Sequence, residues 1–191
     1  MATATKKCVC CKTRKRNEEM MQTPNKQWFC DTSCVASYAN KRYQKQKKSI
    51  NSKKQRIAKE SVKTKAKWLA EAQAAFNKYI RIRDKNLGCV SCDKPSEWYG
   101  QWHCSHYFSR GHSSALRFNV FNCHKSCSVC NSYLSGNIEQ YTPRLIKKIG
   151  DDKYHELVSM KSIVMSFDIE YARRVKKIFN KKARLYEKKF R

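Results

Sequence analysis

Two Cys-x-x-Cys pairs, Cys89-Val-Ser-Cys92 and Cys127-Ser-Val-Cys130, bracket the middle of the chain and constrain its fold more than any other feature. Each pair sets two thiolates on one tight turn, and two such turns can close a tetrahedron around a single Zn²⁺. A loop-rich segment this short needs a substitute for a hydrophobic core, and a zinc clip supplies one. A second set lies near the N-terminus: Cys8-x-x-Cys11 and Cys30-x-x-x-Cys34, with Pro24 and Trp28-Phe29 between them. Cys10 competes for a ligand role there, but the two-residue spacer between Cys8 and Cys11 lets both sulfurs face one ion. Eight of the eleven cysteines fall into these sets, so they read as ligands of two structural zinc ions rather than as disulfides. Cys10, Cys104 and Cys123 are left over.

The residues inside the clip are harder to explain structurally. His103-Cys-Ser-His106 is followed by Asn122 and then by Asn131, directly after the last cysteine. This order resembles that of HNH-type, ββα-metal nucleases. More narrowly, His106-Tyr-Phe-Ser-Arg-Gly111, Leu116-Arg-Phe118, Asn122, Cys127-x-x-Cys130-Asn131 and Ser135-Gly136-Asn137 closely resemble the NinG (Rap) family of lambdoid phages. The likeness is specific from Cys89 to about Tyr141 and looser in the N-terminal cysteine segment and the basic tail. It implies a phage recombination endonuclease that nicks branched DNA such as Holliday junctions and D-loops, leaving 5′-phosphate and 3′-hydroxyl ends. It also points to host or phage recombination proteins as partners.

Phosphodiester hydrolysis needs an activated water, a cation to carry charge on the phosphorane oxygens, and in-line positioning. His106 is the candidate general base, because imidazole is mostly neutral at cellular pH yet still basic. Asn122 is expected to orient that ring or its loop. His103 and Asn131 are the candidate ligands of a catalytic Mg²⁺ or Mn²⁺. The resembled family usually carries aspartate where His103 stands; imidazole in place of a hard carboxylate predicts better activity with Mn²⁺ than with Mg²⁺. Arg110 and Arg117 are candidate phosphate clamps, against the plainer reading that they pair with Asp93 or Glu97. The competing reading of the site is a closed third zinc cluster of His103, Cys104 and His106 with Cys123 or His124.

Charge identifies the partner class. Forty-two Lys and Arg against fifteen Asp and Glu give a net charge of +27, which suits a nucleic acid. No apolar run could span a bilayer and the first residues lack a signal-peptide core, so no membrane is expected and the cytoplasm of the host cell is. A homodimer would suit symmetric junction resolution, though no dimer seam is legible.

Neither Gly nor Pro occurs from Val35 to Leu87, so nothing visible stops one long helix. Lys41 to Lys67 carries twelve Lys and Arg with Glu60 as its single acid, and Lys41, Arg42, Lys45, Lys47, Lys48, Lys53, Lys54 and Arg56 are the candidate phosphate contacts. Tyr43, Ile50 and Ile57 recur every seventh residue without the second apolar position a coiled coil requires. Trp68, Leu69, Ala72, Ala75, Phe76, Tyr79 and Ile80 then follow helical three-and-four spacing with one apolar face.

Strands are expected around Trp98 to Phe108 and Leu116 to Phe121, with a short helix starting near Cys127. Further helices are expected over Ile138 to Ile149, Tyr154 to Met165, and a basic segment from Ser166. The expected fold is α+β and mostly helical: an N-terminal four-cysteine zinc knuckle (1–38), a basic helical arm (39–67), a zinc-stapled HNH-like ββα-metal module (68–141), and C-terminal basic helices (142–191). Two alternatives to the branched-DNA nuclease are a non-catalytic zinc protein that binds nucleic acid and a sequence-specific HNH nuclease.

Overall fold

The computed structural model describes residues 4–190, so the first three residues of the N-terminal segment and the last of the C-terminal one lie outside the described residues. The chain is α+β and mostly helical, with three small two-stranded sheets among the described residues. It divides into two units, residues 1–63 and 64–191.

The first unit begins with two ribbons. Strand β1 (Thr5–Lys7) pairs antiparallel with β2 (Arg14–Arg16), and β3 (Met21–Gln22) with β4 (Trp28–Phe29). Cys8 follows β1, and its turn closes with Cys8 N donating to Thr13 O and Lys12 N to Cys8 O. Helix α1 (Thr32–Ser61) starts where Asp31 accepts from Cys34 N at 2.8 Å, a side-chain cap on a free helix-end amide. Phe29 is buried and packs on Tyr38 of α1, with ring centroids 5.4 Å apart. Beyond that contact α1 is a solvated rod: none of its residues is buried, and Tyr43, Ile50 and Ile57 are each about half exposed.

The uninterrupted helix expected from Val35 to Leu87 does not form. Helix α1 ends at Ser61, whose hydroxyl turns back onto Ala58 O, and Thr64 caps a new helix by accepting from Lys67 N. Serine and threonine stop a helix here by offering the backbone local partners, a weaker signal than Gly or Pro.

In the second unit α2 (Lys65–Arg83) lies along α5 (Ile169–Lys189), and the two bury one core of Trp68, Ala72, Phe76, Tyr79 and Ile80 against Ala172, Val175, Phe179 and Ala183. Phe179 meets Phe76 edge-on at 4.8 Å and Tyr79 at 5.3 Å. Ile178 and Leu185 of α5 are about half exposed. A hairpin of β5 (Trp102–His106) and β6 (Cys123–Cys127) presents Cys104, Phe118 and Cys123 to the same core, with His106 opposite Cys123. Helices α3 (Ile138–Ile149) and α4 (Asp151–Met160) close a second core of Val90, Leu116, Tyr141, Leu145 and Leu157.

Three further boundaries differ from expectation. Leu116 to Phe121 is not a strand: Leu116 ends a 3₁₀ turn (Ser114–Leu116) in one core while Phe118 enters the other, so its apolar residues anchor a loop. The strand is Cys123–Cys127. The short helix near Cys127 is a single wide π-type turn over Val129–Tyr133, because Cys130 N donates to Cys127 Sγ and holds that turn to the knuckle. Finally α4 runs from Asp151 to Met160, not from Tyr154 to Met165: Asp151 and Asp152 sit on its first turn, where acids complement the helix dipole, and only Gly150, at φ 82°, separates it from α3.

Candidate active site and metal centres

In the first unit the sulfurs of Cys8, Cys11, Cys30 and Cys34 all lie within 4.8 Å of one another, and Cys10 is outside the group. Burial opposes ionisation of Cys8, but the backbone amides of Cys11, Cys30 and Cys10 outweigh it and bring the thiol down to about 6. The neighbouring Cys11 thiol, then burial, lifts Cys30 to about 11; burial and the Cys8 and Cys11 thiols lift Cys34 to about 12. Four sulfurs this close cannot all carry charge alone, and a divalent cation removes that conflict.

The sulfurs of the second group, Cys89, Cys92, Cys127 and Cys130, also lie within 4.8 Å of one another but deeper, with three of the four buried. Backbone amides point at its sulfurs: Cys127 N and Ser91 N donate to Cys89 Sγ at 3.2 and 3.4 Å. Burial opposes them, yet these amides and the Ser126 hydroxyl lower Cys89 to about 7. Gly88 is required at the knuckle, since a Cβ there would lie 2.5 Å from Lys94 O. Both groups are compatible with zinc.

An open cleft of about 470 Å³ is lined by His103 to His106, Ser109, Arg110, Asn131, Ser135 and Gly136, with Asn77 and Arg81 of α2. Among the described residues, no acidic one lines it. Asn122 is fully buried and pins the intervening loop: its amide accepts from Phe108 N at 2.9 Å and donates to Phe108 O and Leu116 O. The next carbonyl, Arg117 O, accepts from His106 Nε2 at 3.0 Å. That bond fixes the tautomer with the proton on Nε2, leaving Nδ1 with a lone pair and no hydrogen bond among the described residues. Asn122 thus positions His106 through the loop, not by touching the ring. Burial, then the Arg110 and Arg117 charges, lower His106 to about 4 against the pull of Arg117 O, so the ring is neutral at physiological pH.

Alternation along β5 sends His103 and His106 off opposite sides of the strand, yet both border the same cleft. There His103 Nδ1 meets the Asn131 side-chain amide at 3.1 Å and Ser132 Oγ at 3.4 Å. The two expected cation ligands are therefore adjacent, but both are neutral and no carboxylate joins them. Such a donor set binds Mg²⁺ weakly and needs substrate oxygens or water to complete it.

Arg110 is exposed at the cleft. Arg117 is only partly available: its Nε donates to Gln73 Oε1 and its guanidinium lies over Phe118. Neither pairs with Asp93, which Arg144 takes, or with Glu97. The eight basic candidates of α1, Lys41, Arg42, Lys45, Lys47, Lys48, Lys53, Lys54 and Arg56, are all exposed.

Sequence reasoning missed Asn77 and Arg81, one helical turn apart on α2, and a buried ionic knot. Asp84 accepts two bonds from Arg83 at 2.8 and 2.7 Å and one from Lys125 N, with Lys148 Nζ at 3.2 Å. Burial opposes its ionisation, but neighbouring His124, the Arg83 fork and Lys148 outweigh it and hold Asp84 well below the usual carboxylate range. His124 Nε2 donates to Phe121 O and Nδ1 accepts from Arg83, so both its nitrogens are used structurally. A lone acid after a basic helix end gave little sign of this role.

Over residues 1–189 the chain matches the family model described as Bacteriophage Lambda NinG protein. It is 33% identical to Protein ninG of Escherichia phage lambda over 147 residues, covering 70% of this chain and 71% of that protein. It is 32% identical to Protein ninG of Salmonella phage P22 over 163 residues, 78% and 79% of the two chains. To Protein ninG of Escherichia phage 933W it is 39% identical over 106 residues, 56% of this chain and 52% of that one. No solved structure matches. A match spanning nearly the whole chain, with relatives aligned over most of their own length, makes this chain a member of the NinG family of lambdoid phage proteins.

Proposed function

We propose that this protein is a metal-dependent endonuclease that nicks branched DNA during phage recombination, with His106 as general base in an HNH-like, ββα-metal site. The observation that carries the reading is the state of His106. One nitrogen is spent on a loop carbonyl held in place by Asn122, the other keeps its lone pair, and the ring borders a cleft that has arginines and no acid. A ring near pKa 4 is a weak base. An incoming phosphodiester would offset the Arg110 and Arg117 charges that help depress it, so the substrate would itself raise the basicity of the residue that must take the proton.

In this reading Arg110 and Arg81 hold non-bridging phosphate oxygens, while Arg117, tied to Gln73, shapes the field. His103 and Asn131 would hold the divalent cation, whose contribution is charge stabilisation at the phosphorane. His106 Nδ1 takes the proton of the attacking water. The many exposed cations of α1 favour binding through phosphates, which is insensitive to sequence and steeply dependent on salt. Preference for branched substrates comes from the family resemblance rather than from any one residue.

The test is His106→Ala on a four-way junction with Mn²⁺. Nicking should fall by at least about a hundredfold, the usual share of a general base, with junction binding retained; undiminished nicking overturns the assignment. The non-catalytic zinc protein remains the second reading, favoured by the closeness of Cys104 and Cys123 to His106. A sequence-specific nuclease would cut linear and branched duplexes of one sequence alike.

A further inference from the structure

Cys104, His106 and Cys123 form a third set of soft donors, with their ligand atoms all within 4.8 Å of one another. They share a face of the β5–β6 hairpin: His106 is paired with Cys123 across the strands, and Cys104 lies two residues before His106. Cys123 is fully buried on the α2–α5 core, whereas Cys104 and His106 line the open cleft. An ion can therefore reach the set from the cleft, and a fourth coordination position would face back into it.

The competing explanation is core packing alone, since buried cysteine behaves as a small hydrophobe. It accounts for Cys123 but not for a partly exposed Cys104 and a partly exposed imidazole beside it. Two thiolates and a neutral imidazole around a divalent ion make a site with no net charge, which removes the burial penalty that thiolates alone would meet. Thiolates select Zn²⁺, Co²⁺ or Cd²⁺ and reject Mg²⁺ and Mn²⁺.

We infer that Cys104, His106 and Cys123 form a thiophilic metal site that shuts off cleavage when filled, because it takes the His106 lone pair needed to accept a proton from water. The binding half stands on these three residues alone, while the inhibitory half rests on the proposed function. The chain would then use metals in two opposed ways: structural zinc in the four-cysteine groups is needed for folding, and a further zinc silences the site.

The binding test titrates Co²⁺ into full-length protein that retains its zinc, following zinc content, bound cobalt and visible absorption together. Wild type should gain one cobalt beyond the retained zinc, with tetrahedral d–d bands and thiolate charge-transfer absorption. Cys104→Ser, and separately Cys123→Ser, should lose that equivalent. Cys104 is partly exposed, so its variant remains informative if Cys123→Ser folds poorly. Equal cobalt uptake by wild type and Cys104→Ser, or uptake without thiolate absorption, overturns the site.

The inhibition test adds Zn²⁺ to junction nicking supported by Mn²⁺, with each protein compared with its own zinc-free rate. Cutting by wild type should be lost while Cys104→Ser keeps its own rate. Equal suppression of both proteins, no suppression, or activation by zinc overturns the inhibitory role. If wild type cuts under no condition, the nuclease reading and the inhibitory role fail together, and the cobalt measurement still decides the metal site.

Discussion

The two four-cysteine groups have nearly the same ligand spacing but hold different things together. The first joins two short ribbons to the start of α1, and only Cys8 is buried. The second has three buried sulfurs, is packed by Trp98 and Trp102, and brackets the strand, loop and turn that carry His103, His106, Asn122 and Asn131. A metal clip matters in proportion to what depends on the chain it closes. The first fixes one ribbon end, and the second fixes the site.

That contrast breaks most readily at the cysteines themselves. Cys127→Ser should unfold the second unit, because a structural zinc site supplies folding energy directly, and with it the nicking that the proposed function expects should be lost. Cys30→Ser should leave the melting of the second unit and the cleft chemistry intact, and weaken junction binding only. Circular dichroism melts with a nicking assay would check both; equal losses would erase the distinction between the groups.

The next largest effect concerns the ionic knot behind the hairpin. Asp84→Asn leaves Arg83 and Lys148 without their buried counter-charge and should cost roughly 3 kcal/mol of stability, read by urea denaturation. Little change would mean that the hairpin is held by the clip without this support.

Acid should expose the same region. Folded His106 and His124 are both depressed below the ordinary histidine value, so the unfolded chain binds protons first as pH falls. Stability should be level above about pH 6.5 and decline below it, through pH 4 for His106. Asp84 is depressed too, so its contribution is intact above about pH 4 and erodes only below that. A melting temperature that rises between pH 6.5 and 5 would contradict the buried neutral histidines.

The smallest effect distinguishes the two basic helices. Replacing Lys45, Lys48, Lys53 and Arg56 by Gln on α1, which buries nothing, should leave stability unchanged. It should flatten the salt dependence of DNA binding by roughly 0.9 in log–log slope for each phosphate that is no longer neutralised. The same number of changes on α5, including Lys176 paired with Glu71, should also lower stability. Identical behaviour of the two sets would remove the reason for treating α1 as a binding arm.

Much of this was legible because its signals are local. Cys-x-x-Cys turns and the apolar face of α2 each lie within a few residues, and the structure gathers both four-cysteine groups and a mostly helical α+β chain around them. Boundaries were less legible where the competing signals were weak. Ser61 and Thr64 ended a helix that Gly and Pro did not mark, and the apolar residues from Leu116 to Phe121 anchor a loop between two cores instead of a strand.

By itself the sequence determined which residues carry soft donors, which helix faces are apolar, and that the chain carries a large positive charge. Only the tertiary structure decided that His103 and His106 leave β5 on opposite faces, that Asn122 acts on a loop and not on a ring, that Asp84 anchors the hairpin, and that Cys104 and Cys123 stand beside the same imidazole. Donor type and helical periodicity are properties of neighbours along the chain. Strand register and the closing of a loop between two cores bring together residues far apart in sequence, and no local spacing encodes them.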